Sequence, residues 1–281
     1  MSRFKNKLLN LSLKKIYAQL FINNFKKDSY FNFLKNLYYE FLSTKHPQLE
    51  KKNFEKTLHN LISFDDSLLD NQESLYKLFE PNYADNLDNY YRLFEKQTFY
   101  KFLKYSINTK LIKSKYSDVY EFGIKRLNSH LDILEIGGGV PHGLIYNIWE
   151  KGNKFCKSFT YVEANMLHTE FVDWYCKKYS INIDKRIFLA AKTPAIKNIK
   201  FNFVFAKDIF EHLDDPSKLI DDLIVFSKNQ NTLLCLDLEH KGGVTLHHLN
   251  PNLPILKKKL LDNNFRVVKK FKEIHVWENV S

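Results

Sequence analysis

The residues of this chain best suited to hold a ligand are two carboxylates and a run of glycines. Leu131, Ile133, Leu134 and Ile136 form a short apolar run around Glu135, and Gly137, Gly138 and Gly139 follow at once. A buried parallel strand that ends in a tight turn has this pattern. Glycine turns the backbone sharply, with positive φ where needed, and puts no Cβ between the chain and a ligand. Leu144–Glu150 is predicted to be a helix, whose first N–H groups favour polar or anionic ligand atoms. These residues imply a nucleotide-type cofactor at the carboxyl end of a first strand, where open α/β sheets bind ligands. Glu163 ends a second strand-like run in Tyr-Val-Glu-Ala-Asn. A carboxylate at that tip can accept two hydrogen bonds from vicinal ribose hydroxyls, and charge-assisted bonds are the strong class.

Two rival motifs fail. The dinucleotide fingerprint needs glycine at positions 1, 3 and 6. Counted from Gly137 the sixth position is His142, and counted from Gly138 the third is Val140. No Gly-Lys-Ser/Thr follows, so the P-loop pattern is absent as well. What fits is Glu135-Ile136-Gly137-Gly138-Gly139, which resembles the E/D-x-G-x-G motif of class I S-adenosylmethionine (SAM)-dependent methyltransferases. The resemblance implies that the glycine turn passes under the methionine part of SAM. It also implies that Glu135 orders the turn and the cofactor amino group, and that Glu163 binds the ribose, with Ala164 and Asn165 beside it. The pattern departs from the family at Pro141, where a third glycine is usual. Because proline fixes φ near −65°, the expected loop is longer here, with Gly143 at the helix entry.

Further along stands Lys207-Asp208-Ile209-Phe210-Glu211-His212-Leu213-Asp214-Asp215-Pro216. It resembles the D-x-x-E-H-L-x-D-P phrase recurrent in small-molecule members of the same family. That likeness implies that Lys207 and Asp208 lie at the methyl-bearing side of the cofactor, and that Glu211 and His212 open the following helix beside the site. Imidazole titrates near neutral pH, so His212 is a candidate general base, against a purely structural role in orienting the loop. His247 and His248, in the segment that follows a fifth strand and the residues Asp237-Leu238-Glu239, are alternative bases. The family usually has an acid or polar residue after strand three, facing the adenine. Here the stretch is Phe188-Leu189-Ala190-Ala191-Lys192-Thr193, where Ala191 offers backbone contacts only. His240 is poorly spaced from the other histidines for a metal, no carboxylate cluster matches them, and no cysteine pair has ligand spacing, so no metal site is expected.

These residues need elements to position them. After residue 130, strand-like and helical runs alternate, as in a parallel α/β sheet. Strands are predicted at Leu131–Ile136, Ser158–Glu163, Arg186–Ala190, Phe201–Lys207, Thr232–Leu238, Phe265–Phe271 and Ile274–Glu278. Helices are predicted at Leu167–Tyr179, Ser217–Ser227 and Pro254–Asn263. Their number and order resemble the seven-stranded, mostly parallel Rossmann-like methyltransferase sheet, whose last hairpin turns one strand antiparallel. Before residue 130, apolar residues recur at helical spacing, as in Leu8 to Phe21, Phe31 to Phe41, Phe54 to Leu61, Leu68 to Phe79 and Tyr90 to Leu103. The second of these ends near His46-Pro47. The expected division is an α-helical cap or substrate domain over 1–115 and a SAM-binding domain over 116–281.

The chain of 281 residues is 44% hydrophobic, ample for a core. Its net charge of +11 sits mostly in the first 128 residues, but the lysines are scattered, as on a solvated surface. Nucleic acid is therefore a possible but not favoured partner. Three cysteines without a C-x-x-C pair point to a reducing compartment. With no signal-like N-terminus and no apolar run long enough to span a bilayer, the expected location is cytoplasmic. The resemblance implies transfer of a methyl group from SAM to a small molecule or sugar, on oxygen or nitrogen. The alternatives are an RNA- or protein-modifying methyltransferase that uses its basic helical half, and a SAM-binding scaffold without turnover.

Overall fold

The computed structural model describes residues 29–56, 112–128, 130–164, 166–188, 192–228, 230–239 and 253–280. They fall in two compact units, 29–56 in one and 112–280 in the other. In the first, α1 spans Ser29–Lys45, and Tyr30, Phe31, Leu34, Leu37, Tyr38, Phe41 and Leu42 form its buried stripe. The i, i+3, i+4 spacing of those residues makes one apolar face. The helix stops before His46-Pro47, because the residue ahead of a proline disfavours helical φ/ψ. The other expected front-half helices lie mostly outside the described residues.

The second unit is built on one seven-stranded sheet, ordered β3-β2-β1-β4-β5-β7-β6. In chain order the strands are β1 Leu131–Ile136, β2 Cys156–Glu163, β3 Ile183–Ile187, β4 Phe203–Ala206, β5 Leu233–Asp237, β6 Phe265–Phe271 and β7 Ile274–Asn279. The pairs from β3 through β5 are parallel. Strand β7 runs antiparallel to both β5 and β6. The helices are α2 Asp118–Leu127, α3 His142–Lys151, α4 Met166–Lys178, α5 Pro216–Ser227 and α6 Leu253–Asp262. A π-helical turn, Lys113–Ser117, leads into α2. No helix among the described residues is long and apolar enough to cross a membrane.

Burial follows sheet position. Every residue of β1, β4 and β5 is buried, as expected of central strands covered on both faces. The edge strand β3 is mostly exposed and reads Ile-Asp-Lys-Arg-Ile. It lies three residues ahead of the strand expected at Arg186–Ala190. An edge strand buries little, so its sequence carries no apolar signal, and the pairing of Ile183 to Ile187 with Phe159 to Glu163 sets it instead. Arg266, Lys269 and Lys270 mark the other edge, β6, where charge blunts strand-to-strand association. One core layer joins Leu134, Ile136, Val204, Leu236 and Trp277, on one face of the sheet, to Leu219 and Leu223 of α5 and Leu256 of α6.

Strand order reverses between β1 and β4, and the carboxyl ends of strands at such a switch point are where open α/β sheets bind ligands. Both expected ligand-holding segments open there.

Candidate functional site: the carboxyl edge of the central strands

The registers place one row of residues along this edge. Ile136 pairs with Val162 on one side and Ala206 on the other, and Ala206 pairs with Leu236. The next residue on each strand is therefore Glu163, Gly137, Lys207 and Asp237. Neighbouring strands lie about 4.8 Å apart, so the row is roughly 14 Å long.

Glu163 and the glycine turn are joined directly. Gly137 N–H donates to Val162 O at 2.8 Å, carrying the β1–β2 ladder one residue beyond the strand. Gly139 N–H donates to Glu163 Oε2 at 2.9 Å. Ala164 N–H donates to Glu163 Oε1 at 2.8 Å. The Tyr161 hydroxyl donates to Gly139 O and lies 3.3 Å from Glu163 Oε2. Tyr161 is two residues before Glu163, hence on the same face of the strand.

The turn requires glycine. Gly137 has φ +64°, and a Cβ there would come within 2.4 Å of Ile209 Cδ1. A Cβ on Gly138 would meet Glu135 Oε1 at 2.4 Å. Glu135 is buried, and its other oxygen accepts a 2.6 Å hydrogen bond from the Tyr120 hydroxyl. Burial raises the Glu135 carboxyl to about 8, with the Tyr120 bond opposing and the Glu163 charge adding to the rise. An ammonium-bearing ligand at this carboxyl would therefore meet a group ready to ionise beside it.

Pro141 does not lengthen the loop as expected. It is the N-cap of α3, which starts at His142, and Pro141 O accepts from Ile145 N–H at 3.0 Å. Gly143 lies within the first turn of the helix, where a Cβ would be 2.5 Å from the Tyr120 ring. Its role is to let α3 approach α2. His142 is buried, its ring edge-on to Tyr116 at 5.6 Å. Burial lowers both His142 and His168 to about 3, so both are uncharged at neutral pH.

At the far end of the row Lys207 is buried. Its ammonium donates to Asp208, lies 3.9 Å from Asp237 Oδ2 and sits over the Tyr116 ring at 6.0 Å. Burial disfavours its charge, but Asp208, Tyr116 and Asp237 outweigh that and hold it above the ordinary lysine range. Asp208 takes φ +51°, a left-handed conformation that Asp tolerates better than most residues, and its side chain is exposed. Asp237 is buried and its Oδ1 accepts from Glu239 N–H at 3.1 Å.

The phrase after β4 divides into two parts. Glu211 and His212 belong to a short 3₁₀ turn, Phe210–His212, and not to the start of the next helix. His212 Nε2 is 4.0 Å from Glu211 Oε1. Asp214 and Asp215 have structural work. Asp215 caps α5 through Lys218 N–H at 3.0 Å, with Pro216 at the first helical position. Asp214 accepts from Thr193 N–H and Oγ1, both at 2.9 Å, tying down the segment after β3.

The structure thus brings together Glu135, Gly137, Gly138, Gly139, Glu163, Ala164, Lys207 and Asp208. Asn165, Ala191, His247 and His248 lie outside the described residues. Sequence reasoning did not single out Tyr120, Tyr161, Tyr116 or Asp237. Only Tyr161 had a local signal, its two-residue spacing from Glu163. The others depend on tertiary approach.

A seven-stranded sheet in this order, with β7 alone antiparallel, is the Rossmann-like sheet of the class I SAM-dependent methyltransferases. No protein-family model matches the chain, and no curated protein matches it. Among solved structures, it resembles a SAM-dependent methyltransferase from Aquifex aeolicus at 15% identity and TM-score 0.38, over 59% of this chain and 91% of that one. It resembles one from Clostridium acetobutylicum at 11% and 0.40, over 59% and 92%. It also resembles the 16S rRNA methylase ArmA at 12% and 0.38, over 71% and 99%. The fold is defined by the strand order and registers, not by these superpositions.

Proposed function

We propose that the chain is a SAM-dependent methyltransferase acting on a small molecule. The observation that carries this reading is the direct hydrogen bond between Glu163 and Gly139 N–H, which puts a carboxylate against a Cβ-free turn at the switch point of the sheet. The residues fit the cofactor in three respects. Glu163 suits the ribose diol, the Gly137–Gly139 turn admits a chain passing close to the backbone, and Glu135 beside Gly138 suits an ammonium. Bound SAM would supply an electrophilic methyl group.

The protein's part is then to align an acceptor with that group and remove its proton where it has one. Lys207, Asp208, Asp237 and Tyr116 stand at the end of the row farthest from Glu163, which suits the acceptor side. The first test is calorimetric titration with SAM of the wild type and Glu163→Ala. Hydrogen bonds to a charged group contribute about 1.5–3 kcal/mol, so the variant should lose about 10- to 100-fold in affinity. Equal affinity in the two proteins would remove the ribose assignment. A labelled-methyl assay against pooled metabolites, RNA and protein then separates a small-molecule enzyme from a macromolecular one, and both from a scaffold.

A further inference from the structure

We propose that Asp237 is the proton acceptor of the reaction, positioned by Lys207, and that the group methylated is a hydroxyl. The inference rests on the SAM-dependent reading above and deepens it. Three features carry it. Asp237 lies in the same edge row as Glu163 and Gly137, two strands beyond the glycine turn, so SAM held with its ribose at Glu163 and its methionine part along the turn would have Asp237 on the side away from the ribose. Its carboxyl is buried and aimed by two contacts, Glu239 N–H on Oδ1 at 3.1 Å and Lys207 Nζ at 3.9 Å from Oδ2. Lys207 is itself fixed, by Asp208 and by the Tyr116 ring, so it orients Asp237 without being free to move off.

The surroundings suit a base. Burial pushes the Asp237 carboxyl up to about 7. The Glu239 N–H and Lys207 oppose the rise, while Asp208 and Glu211 add to it. On β7, which pairs Ile274 with Asp237, the next residue His275 points its Nε2 to Glu239 Oε1 at 3.3 Å. An ordinary carboxylate is a weak base, whereas one that titrates near neutrality is both available and basic enough to take a proton in the transition state. As the acceptor oxygen bonds to the methyl carbon, the carbon–sulfur bond breaks with its electron pair left on sulfur. The hydroxyl proton passes to the Asp237 carboxylate.

The placement can be tested without knowing the acceptor. Sinefungin has an amine-bearing carbon in place of the methyl sulfonium, so it puts an ammonium where the methyl group would be. The demethylated product, S-adenosylhomocysteine, has nothing there. If Asp237 faces the methyl position, wild type binds sinefungin at least about tenfold more tightly than S-adenosylhomocysteine by calorimetry. That ratio rises between pH 6 and pH 8 as Asp237 ionises. Asp237→Asn should keep the affinity for S-adenosylhomocysteine and lose the preference, while Asp215→Ala, which removes only the cap of α5, keeps both. A ratio unchanged in Asp237→Asn overturns the proposal, and so does a wild-type ratio that is flat with pH, a measurement that needs no variant to fold. Binding of neither ligand by wild type overturns the SAM reading itself, and this inference with it.

Discussion

Replacing Tyr120 by Phe removes one oxygen and leaves the packing of the ring against Phe203 and Gly143 in place. That oxygen donates the 2.6 Å hydrogen bond to Glu135 in a fully buried setting. The cost depends on the protonation state of Glu135. Its carboxyl titrates at about 8, so at pH 6 it is neutral and the lost bond costs about 1 kcal/mol, the figure for a neutral pair. At pH 9 it is ionised, and a buried carboxylate that loses a donor costs about 3 kcal/mol. The destabilisation by Tyr120→Phe should therefore grow about threefold from pH 6 to pH 9. Urea unfolding of both proteins at the two pH values measures it. In a Glu135→Gln background the pH dependence should vanish, because the group that titrates is gone. A cost equal at both pH values, or unaffected by Glu135→Gln, would show that Tyr120 does not hold Glu135 and would refute this account of the glycine turn's support.

Gly137→Ala meets both a positive φ and Ile209, so it should weaken SAM binding at least about tenfold and cost about 1–2 kcal/mol of stability from the backbone alone. Ile209→Ala in the same chain should recover the steric part and not the backbone part, as read by denaturation. Asp215→Ala should cost about 1 kcal/mol through the lost cap of α5 while SAM affinity stays unchanged, which calorimetry checks. The pH–stability curve should fall on both sides of a plateau between about pH 4.5 and 6.5. His142 and His168 are lowered to about 3, so their contribution is present above the unfolded value and lost as pH falls. Glu135 and Asp237 are raised to about 8 and about 7, so theirs is present at low pH and lost as pH rises through those values. His168→Gln should flatten the acid limb in urea titrations taken at successive pH values.

The amino-acid sequence alone determined the elements whose signal is local. Leu131–Ile136 carries four apolar residues around Asp132 and Glu135 and runs straight into three glycines, so its strand and the turn after it follow from composition and spacing. The same holds for the final hairpin, Phe265–Phe271 and Ile274–Asn279, and for the buried stripe of α1. Glu163 was legible because it ends an apolar run, and its burial at the glycine turn followed once β1 and β2 paired in register. Tertiary structure decided what depends on partners far apart in the chain. Strand β3 is polar and exposed, so only pairing with β2 defines it. Tyr120 reaches Glu135 because Gly143 lets two helices approach, and Lys207 meets Asp237 because two buried strands end level. Hydrophobic periodicity records which face of an element is covered, and it carries no record of which buried polar group will find which partner across the sheet. For that reason the two carboxylates beside the glycine turn were readable in advance, while the approach of Lys207 to Asp237 emerged only when the strands were laid side by side.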